Sequence, residues 1–173
     1  MKVDLTAENK QISAKATAAV AGPGLEGTAT FTEYDVDGWK YVHLNLAIMA
    51  DPEVVKPGKH AVHIHEKGDC ECDGFVCAGG HFDPGPNGNS DPDANHGYHA
   101  GDLPNIIIKE DGTGELETIT TRVTLSDGPV SILQPEEGTS IMIHANPDPY
   151  IPGETGSKIS GGPRLACGKI VGV

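Results

Sequence analysis

The chain has 173 residues, the length of one ordinary domain, and we expect residues 1–173 to form a single domain. Lys and Arg number 12 against 25 Asp and Glu, which gives a formal net charge of −13. That acidity excludes nucleic acid and anionic membranes as expected partners, because both require a basic surface. No apolar run approaches the roughly 18–20 residues that cross a bilayer, and the first residues lack the apolar region of a signal peptide.

Alternating apolar and polar residues predict an all-β chain. Within Trp39–Met49, every second residue from 42 to 48 is Val, Leu or Ile, which is the period of a half-buried strand. Similar or weaker patterns predict further strands at Ile12–Val20, Thr28–Tyr34, His60–His65, Ile106–Lys109, Glu115–Leu125, Val130–Leu133, Ser140–His144 and Leu165–Val171. About eight short strands separated by Gly- and Pro-containing turns indicate an antiparallel sandwich or barrel.

Two segments interrupt this pattern. Gly68–Asn105 and Ala145–Pro163 carry almost no strand signal and are rich in Gly, Pro, Asp and Asn. Loops of this length are uncommon in a compact domain unless they are functional or disordered. The first loop is crowded with His, Cys and Asp, so we predict that both are functional loops.

The histidines follow a pattern that favours a metal site. His63 and His65 are two residues apart in a predicted strand, so their imidazoles project from the same face, and imidazole suits copper and zinc. His60 has the opposite parity and is expected to pack behind them. His144 closes another strand. The long loop supplies a mixed set that fits zinc, namely His81, His96, His99 and Asp102.

Several stretches together resemble the copper/zinc superoxide dismutases, in their bacterial form. They are GKHAVHIHEKGDC (58–70), AGGHFDP (78–84), HAGDLPN (99–105), GTSIMIHANPD (138–148) and GGPRLACGKI (161–170). Their order and approximate spacing match the family. The resemblance implies a Greek-key β-barrel in which a histidine-bound copper, next to a zinc site, converts two superoxide anions into O₂ and H₂O₂ by one-electron cycling.

The resemblance also implies roles for individual residues. The implied copper ligands are His63, His65, His81 and His144, and the implied zinc ligands include His81, His99 and Asp102. His81 would bridge the two metals and supply a proton to the product. Arg164 matches the arginine beside the copper, Asp148 matches a carboxylate that hydrogen-bonds ligands of both metals, and His60 matches a histidine that braces the site.

One departure from the family pattern concerns zinc. The family places another zinc histidine eight or nine residues after the bridging one, where this chain has Asn89 and Ser90. We expect His96 to complete the site, with Asp91 or Asp93 as substitutes. A weak or empty zinc site would instead make a copper-only dismutase. Alternatives outside enzymology are a copper-binding or delivery domain and a β-sandwich binding module without stoichiometric metal.

The cysteines bear on the cellular compartment. Cys70 and Cys167 match the disulfide of the family. Three alternatives stay open for Cys72 and Cys77, namely a disulfide that closes a second small loop, two free thiols, or soft-metal ligands. Disulfides indicate an oxidising compartment, so we expect a periplasmic or secreted protein whose signal peptide is missing from this numbering.

Substrate charge sets a further requirement. Superoxide is an anion and the chain carries −13, so the site must be locally positive, and Arg164 is the expected source. Lys158 and Lys67 are expected to be solvated surface residues, with steering of superoxide as their alternative role. A homodimer is the assembly considered.

Overall fold

The computed structural model describes residues 9–86, 88–94 and 98–173. Its regular structure consists of nine strands and one short 3₁₀ segment at Asp73–Ala78. The strands are β1 (Gln11–Gly22), β2 (Leu25–Val36), β3 (Trp39–Ala50), β4 (Gly58–His60), β5 (Val62–His65), β6 (Ile106–Ile108), β7 (Thr113–Thr120), β8 (Thr139–His144) and β9 (Arg164–Gly172). The all-β prediction is confirmed. None of the described helical segments has the length and apolar composition needed to cross a lipid bilayer.

The strands form one nearly closed antiparallel barrel. They are hydrogen-bonded in the order β4-β6-β7-β3-β2-β1-β9-β8-β5. Strand β3 pairs with β7 and not with β4, so the connection from β3 to β4 crosses over the barrel as in a Greek key. The two outermost strands, β4 and β5, are separated along the chain by Ala61 alone, which brings the edges of the sheet together.

Inward-facing aliphatic side chains fill the barrel. The predicted alternation in β3 is confirmed, since Val42, Leu44, Leu46 and Ile48 are all buried. They join side chains of the other strands in one cluster that includes Phe31 of β2. This packed interior fixes the strands on which the loops stand.

The predicted strand His60–His65 is wrong in one respect, because it is divided at Ala61. The Ala61 amide donates to the Asn146 carbonyl oxygen over 2.9 Å, and the Ala61 carbonyl accepts the His144 amide over 2.9 Å. These bonds bend the chain from β4 into β5. Periodicity cannot reveal the break, because Ala is compatible with either conformation.

The predicted strands Glu115–Leu125 and Val130–Leu133 also need correction. Strand β7 ends at Thr120, and the later segment makes only an isolated bridge between Thr124 and Ser131. The buried carboxylate of Glu33 accepts the backbone amide of Leu125 at 2.7 Å and that of Ser126 at 3.1 Å. The amides of Ser131 and Ile132 donate within the same segment, to the carbonyls of Gly128 and Thr124. Backbone donors that serve a carboxylate are not available to a neighbouring strand.

The first long loop is hydrogen-bonded along the free edge of β5. The Ile64 amide donates to the Gly101 carbonyl, and the Ile64 carbonyl accepts the Phe82 amide, both over 2.8 Å. Further along, the Leu103 amide donates to Val62 over 3.2 Å. The loop is therefore paired along the edge of β5, the strand that carries two of the predicted ligands.

Candidate metal centre

Strand β5 divides its four residues between the core and the candidate site. All four are buried, and Val62 and Ile64 belong to the barrel core. His63 and His65 point to the opposite face and are 0% exposed, because the loops cover them. The alternation of a strand therefore places two imidazoles side by side outside the barrel wall but away from water.

Four imidazoles meet on this face. One nitrogen from each of His63, His65, His81 and His144 lies within 4.8 Å of the others. The Nε2 atoms of His65, on β5, and His144, at the end of β8, are 3.3 Å apart. His81 comes from the long loop, and its backbone pairs with that of His65 in an isolated antiparallel β-bridge. The structure thus brings together the four residues that the sequence predicted as copper ligands.

Backbone carbonyls orient two of these rings. The Nδ1 atom of His65 bonds the Gly79 carbonyl at 3.0 Å, and that of His144 bonds the Gly162 carbonyl at 3.1 Å. Because a carbonyl only accepts, each Nδ1 carries the proton and each Nε2 presents its lone pair to the cluster. His60 braces the same region, with Nδ1 2.8 Å from the His144 carbonyl oxygen.

A carboxylate orients the third ring. Asp148 Oδ2 lies 2.8 Å from Nε2 of His63, which leaves Nδ1 of His63 facing the cluster. That Nδ1 is buried and has no hydrogen-bond partner among residues 9–86, 88–94 and 98–173. Asn105 holds Asp148 in turn, since its Oδ1 accepts the Asp148 amide at 2.9 Å and its Nδ2 donates to the Asp148 carbonyl at 3.0 Å.

His81 belongs to two groups at once. Its Nδ1 lies 2.9 Å from Asp102 Oδ1 and 3.2 Å from His99 Nδ1, so the three form a second cluster. Its Nε2 is buried, faces the four-imidazole cluster and has no hydrogen-bond partner in the described part of the chain. An imidazole placed in this way can present one nitrogen to each of two ions.

The residues fit the metals that the sequence pattern implies. Within the described part of the chain, His63 and His81 each contribute a buried nitrogen without a hydrogen-bond partner to the same four-imidazole cluster, and an all-imidazole set suits copper. Burial, followed by neighbouring histidines, holds the pKa of His63 and that of His65 well below the usual range. Burial lowers the pKa of His144 to about 3. These rings are therefore neutral at pH 7, the form that binds a metal.

The second cluster has the composition of a zinc site. Burial alone would raise the pKa of Asp102, but hydrogen bonds with His81 and His99 outweigh it and the pKa is lowered well below the usual range. The carboxylate is therefore ionised at neutral pH. Two imidazoles and a carboxylate are ligands that zinc accepts in tetrahedral sites.

The fourth zinc ligand predicted from sequence, His96, lies outside the described residues. Both proposed substitutes are used elsewhere. Asp91 Oδ1 accepts the Asp93 amide at 3.0 Å, and Asp93 accepts the amides of Lys158 at 2.9 Å and Ser160 at 3.3 Å. Asp93 thereby ties the first long loop to the second.

Arg164 lies at the mouth of the cluster. It lines a cavity of about 150 Å³ together with Lys158, His144 and Asp93. Lys67, the other lysine considered for steering, faces Glu137 at 3.7 Å on the protein surface. The structure therefore brings Lys158, and not Lys67, to the mouth beside Arg164.

Two disulfides flank the arginine. Cys70 and Cys167 are bonded, as the resemblance implies, and tie the long loop to β9. Cys72 and Cys77 are bonded as well, which resolves the alternatives left open by the sequence. Among the described residues no cysteine is free.

Sequence reasoning missed the residues that hold the ligands. Asn105, which fixes Asp148, ends the matched stretch HAGDLPN, but nothing in the stretch identifies its partner. Gly161 has φ +115°, and a Cβ on it would come within 2.8 Å of the His144 Cβ. Only glycine fits at this position. In both cases the role depends on a contact with a different segment, which the sequence pattern does not show.

Comparison with known proteins decides the family. The family model described as copper/zinc superoxide dismutase matches residues 25–170 of this chain. The chain belongs to the copper/zinc superoxide dismutase family. As a member, it is an enzyme that acts on superoxide, and copper and zinc are its metals.

Similar proteins include bacterial enzymes and a solved structure. The superoxide dismutase [Cu-Zn] of Deinococcus radiodurans is 39% identical over 152 residues, covering 82% of this chain and 75% of that protein. The Caulobacter vibrioides enzyme is 41% identical over 118 residues, covering 66% of this chain and 64% of that protein. A solved structure titled as the clock protein EA4 is 28% identical, with a TM-score of 0.69 and coverage of 92% and 95% of the two chains.

Proposed function

We propose that this chain dismutes superoxide with a copper held by His63, His65, His81 and His144, and a zinc held by His81, His99, Asp102 and His96. The position of His81 carries the proposal, because its ring is buried between the two clusters and faces one with each nitrogen. Copper, when bound, supplies the one-electron oxidation and reduction that turn two superoxide anions into O₂ and H₂O₂.

Arg164 is proposed to bind the substrate. Its guanidinium is positive at neutral pH and presents several N–H donors, and it lines the mouth within the same small cavity as His144. A small anion entering this cavity is attracted by Arg164 and Lys158 before it reaches the imidazoles. Asp93 positions Lys158 by accepting its backbone amide.

The product requires protons, and His81 is proposed to supply one. Its Nε2 faces the substrate side, while Asp102 stabilises the opposite side of the ring at Nδ1. A proton taken up at Nε2 can be passed to a bound anion at hydrogen-bond distance. Asp148, held by Asn105, keeps His63 in the rotamer that leaves its Nδ1 facing the cluster.

Elemental analysis of the purified protein, with a superoxide-consumption assay on the same sample, tests the proposal. One copper and one zinc per chain with activity is the expected result. Copper and activity without zinc would favour the copper-only dismutase. A fully loaded but inactive protein would favour a delivery domain, and the lack of stoichiometric metal after reconstitution would favour a binding module.

Variants test the zinc ligands separately. His96→Ala is expected to lower zinc content and leave copper mostly in place. Unchanged zinc content in this variant would mean that another residue is the fourth zinc ligand. Asp91→Asn and Asp93→Asn are then the next variants to measure.

We also propose that the chain is a single domain, acts as a homodimer and resides in the periplasm or outside the cell. Two disulfides support the compartment, because such bonds persist where the environment is oxidising. Cell fractionation tests the location. Sedimentation equilibrium tests the assembly, and a monomer mass at micromolar concentration would contradict it.

A further inference from the structure

The guanidinium of Arg164 rests on two backbone carbonyls of the first long loop. Nη1 donates to the Phe75 carbonyl and Nη2 to the Gly79 carbonyl, each over 2.6 Å. Because these two bonds use adjacent nitrogens of a planar group, they fix both the place and the tilt of the plane. The orientation of the arginine is therefore decided by how firmly each carbonyl is held.

The Gly79 carbonyl has independent support. The neighbouring Gly80 amide donates to Glu66 Oε1 at 2.9 Å, and the Glu66 amide donates to the Gly80 carbonyl at 3.0 Å. The Lys67 amide also donates to Ala78 at 3.1 Å. These bonds attach residues 78–80 to Glu66 and Lys67, and none of them involves residues 72–77.

The Phe75 carbonyl depends on a small strained loop. Gly74 and Phe75 have φ values of 64° and 56°, in the left-handed region that a bulky residue such as Phe adopts only at a cost. The Phe75 amide donates to the Cys72 carbonyl at 2.8 Å, which closes a turn. The Cys72–Cys77 disulfide spans this turn and holds its two ends with a Cα–Cα distance of 5.6 Å.

We propose that the Cys72–Cys77 disulfide is a positioning device for Arg164. By holding the turn that presents the Phe75 carbonyl, it keeps the guanidinium facing the mouth of the site. Without it, the turn relaxes from its left-handed conformation. Arg164 then keeps only the hydrogen bond to the Gly79 carbonyl, and its guanidinium can rotate about that bond. This inference rests on the proposed role of Arg164 in binding superoxide.

The test replaces the pair by serine, as Cys72→Ser/Cys77→Ser. Copper and zinc contents are expected to stay intact, because no described candidate ligand belongs to residues 72–77. Thiol titration verifies the Cys70–Cys167 disulfide, since Cys70 and Phe75 pack against the same small cluster. The affinity of the copper-loaded protein for azide, a small anion followed by absorbance, is expected to weaken roughly threefold to tenfold. The kcat/KM for superoxide is expected to fall by a similar factor.

A double-mutant cycle separates positioning from general damage. In an Arg164→Ala background, the serine pair should change azide affinity no further, since the group it positions is gone. Val76→Ala is the matched control within the same loop, because its side chain is 68% exposed and should leave azide affinity unchanged. If the serine pair does not fold, Cys72→Ala/Cys77→Ala makes the same test without new polar groups.

The outcomes distinguish this inference from the proposed function. Wild-type azide affinity in the cysteine variants, together with a large loss in Arg164→Ala, would overturn the positioning role and leave the function standing. An equal loss with and without Arg164 would also overturn it, because the disulfide would then act on something else. Full activity in Arg164→Ala would instead overturn the proposed role of the arginine.

Discussion

Glu33 is a completely buried carboxylate on strand β2, and four donors surround it. Ser13 donates its hydroxyl to Oε1 over 2.7 Å, while the backbone amides of Leu125 and Ser126 donate to Oε2. Lys40 lies 3.7 Å away. Burial alone would raise the pKa of Glu33, but the hydrogen bonds outweigh burial and the pKa is lowered. Glu33 therefore ties β1 and the 121–135 segment to β2 as an ion.

We predict that Glu33→Gln lowers the free energy of unfolding by about 2 kcal/mol at pH 7. The reason is that a carboxylate accepts hydrogen bonds on both oxygens, whereas the NH₂ group of a Gln amide only donates. A lowered folded-state pKa stabilises the protein above the unfolded value of about 4.3, and this contribution is lost as the pH falls through the folded-state value. The difference between variant and wild type should thus shrink below about pH 4. Urea unfolding at several pH values measures it. Glu26→Gln, on the exposed side of the same strand, should show no difference.

Lys158 is the second positive residue at the mouth. We predict that Lys158→Gln lowers kcat/KM for superoxide about twofold to fivefold at low ionic strength, because a charge that steers an anion acts on the association rate. Variant and wild type should converge as salt is added. Lys67→Gln is the matched control, since Lys67 pairs with Glu137 away from the mouth. A salt-independent deficit would argue against steering.

At the scale of secondary-structure elements, Arg122 holds the backbone of the segment that carries His99 and Asp102. The guanidinium donates to the His99 carbonyl over 3.2 Å and to the Asp102 carbonyl, and it lies 5.6 Å from the centre of the Tyr98 ring. Arg122 follows the end of β7, so it links the barrel directly to a turn that supplies two candidate ligands. Nothing in the sequence pattern singled it out.

We predict that Arg122→Ala raises the Kd for zinc about tenfold and leaves copper affinity unchanged, because residues that orient ligands are worth roughly 10–100-fold in metal affinity. Competition with a chromogenic chelator measures both constants. Arg122→Lys, which reaches one carbonyl at a time, should lie between wild type and Ala. Equal loss of both metals would mean that Arg122 supports the loop as a whole.

Elements also mark the limits of sequence reasoning. The parity of His63 and His65, the all-β class and the two long loops follow from local periodicity and composition, whereas the Greek-key barrel follows from the family resemblance. The break at Ala61 and the irregular backbone at Leu125 do not, because each depends on a hydrogen bond to a distant segment. The same reason hides Asn105, whose side chain is identified only by the backbone it contacts.

For the whole molecule, the Cys70–Cys167 bond closes the longest covalent loop. It joins residues 97 apart in sequence, whereas Cys72 and Cys77 are 5 apart. In the chain-entropy model the long loop is worth at most about 5 kcal/mol and the short one about 2 kcal/mol. We predict that Cys70→Ser/Cys167→Ser lowers the free energy of unfolding in denaturant by more than Cys72→Ser/Cys77→Ser does. The reverse order would show that native contacts, and not the unfolded chain, dominate.

The whole arrangement depends on the register of strand β5. Its residues alternate between the core, at Val62 and Ile64, and the metal clusters, at His63 and His65. Pairing with β8 on one edge and with the long loop on the other fixes that register. A slip of a single residue would turn the imidazoles into the apolar interior and the aliphatic side chains towards the candidate metal clusters. A chain folded with that slip would bury two polar rings in an apolar core and would present no imidazole pair to the loops. Correct pairing of β5 is therefore a condition for forming either cluster.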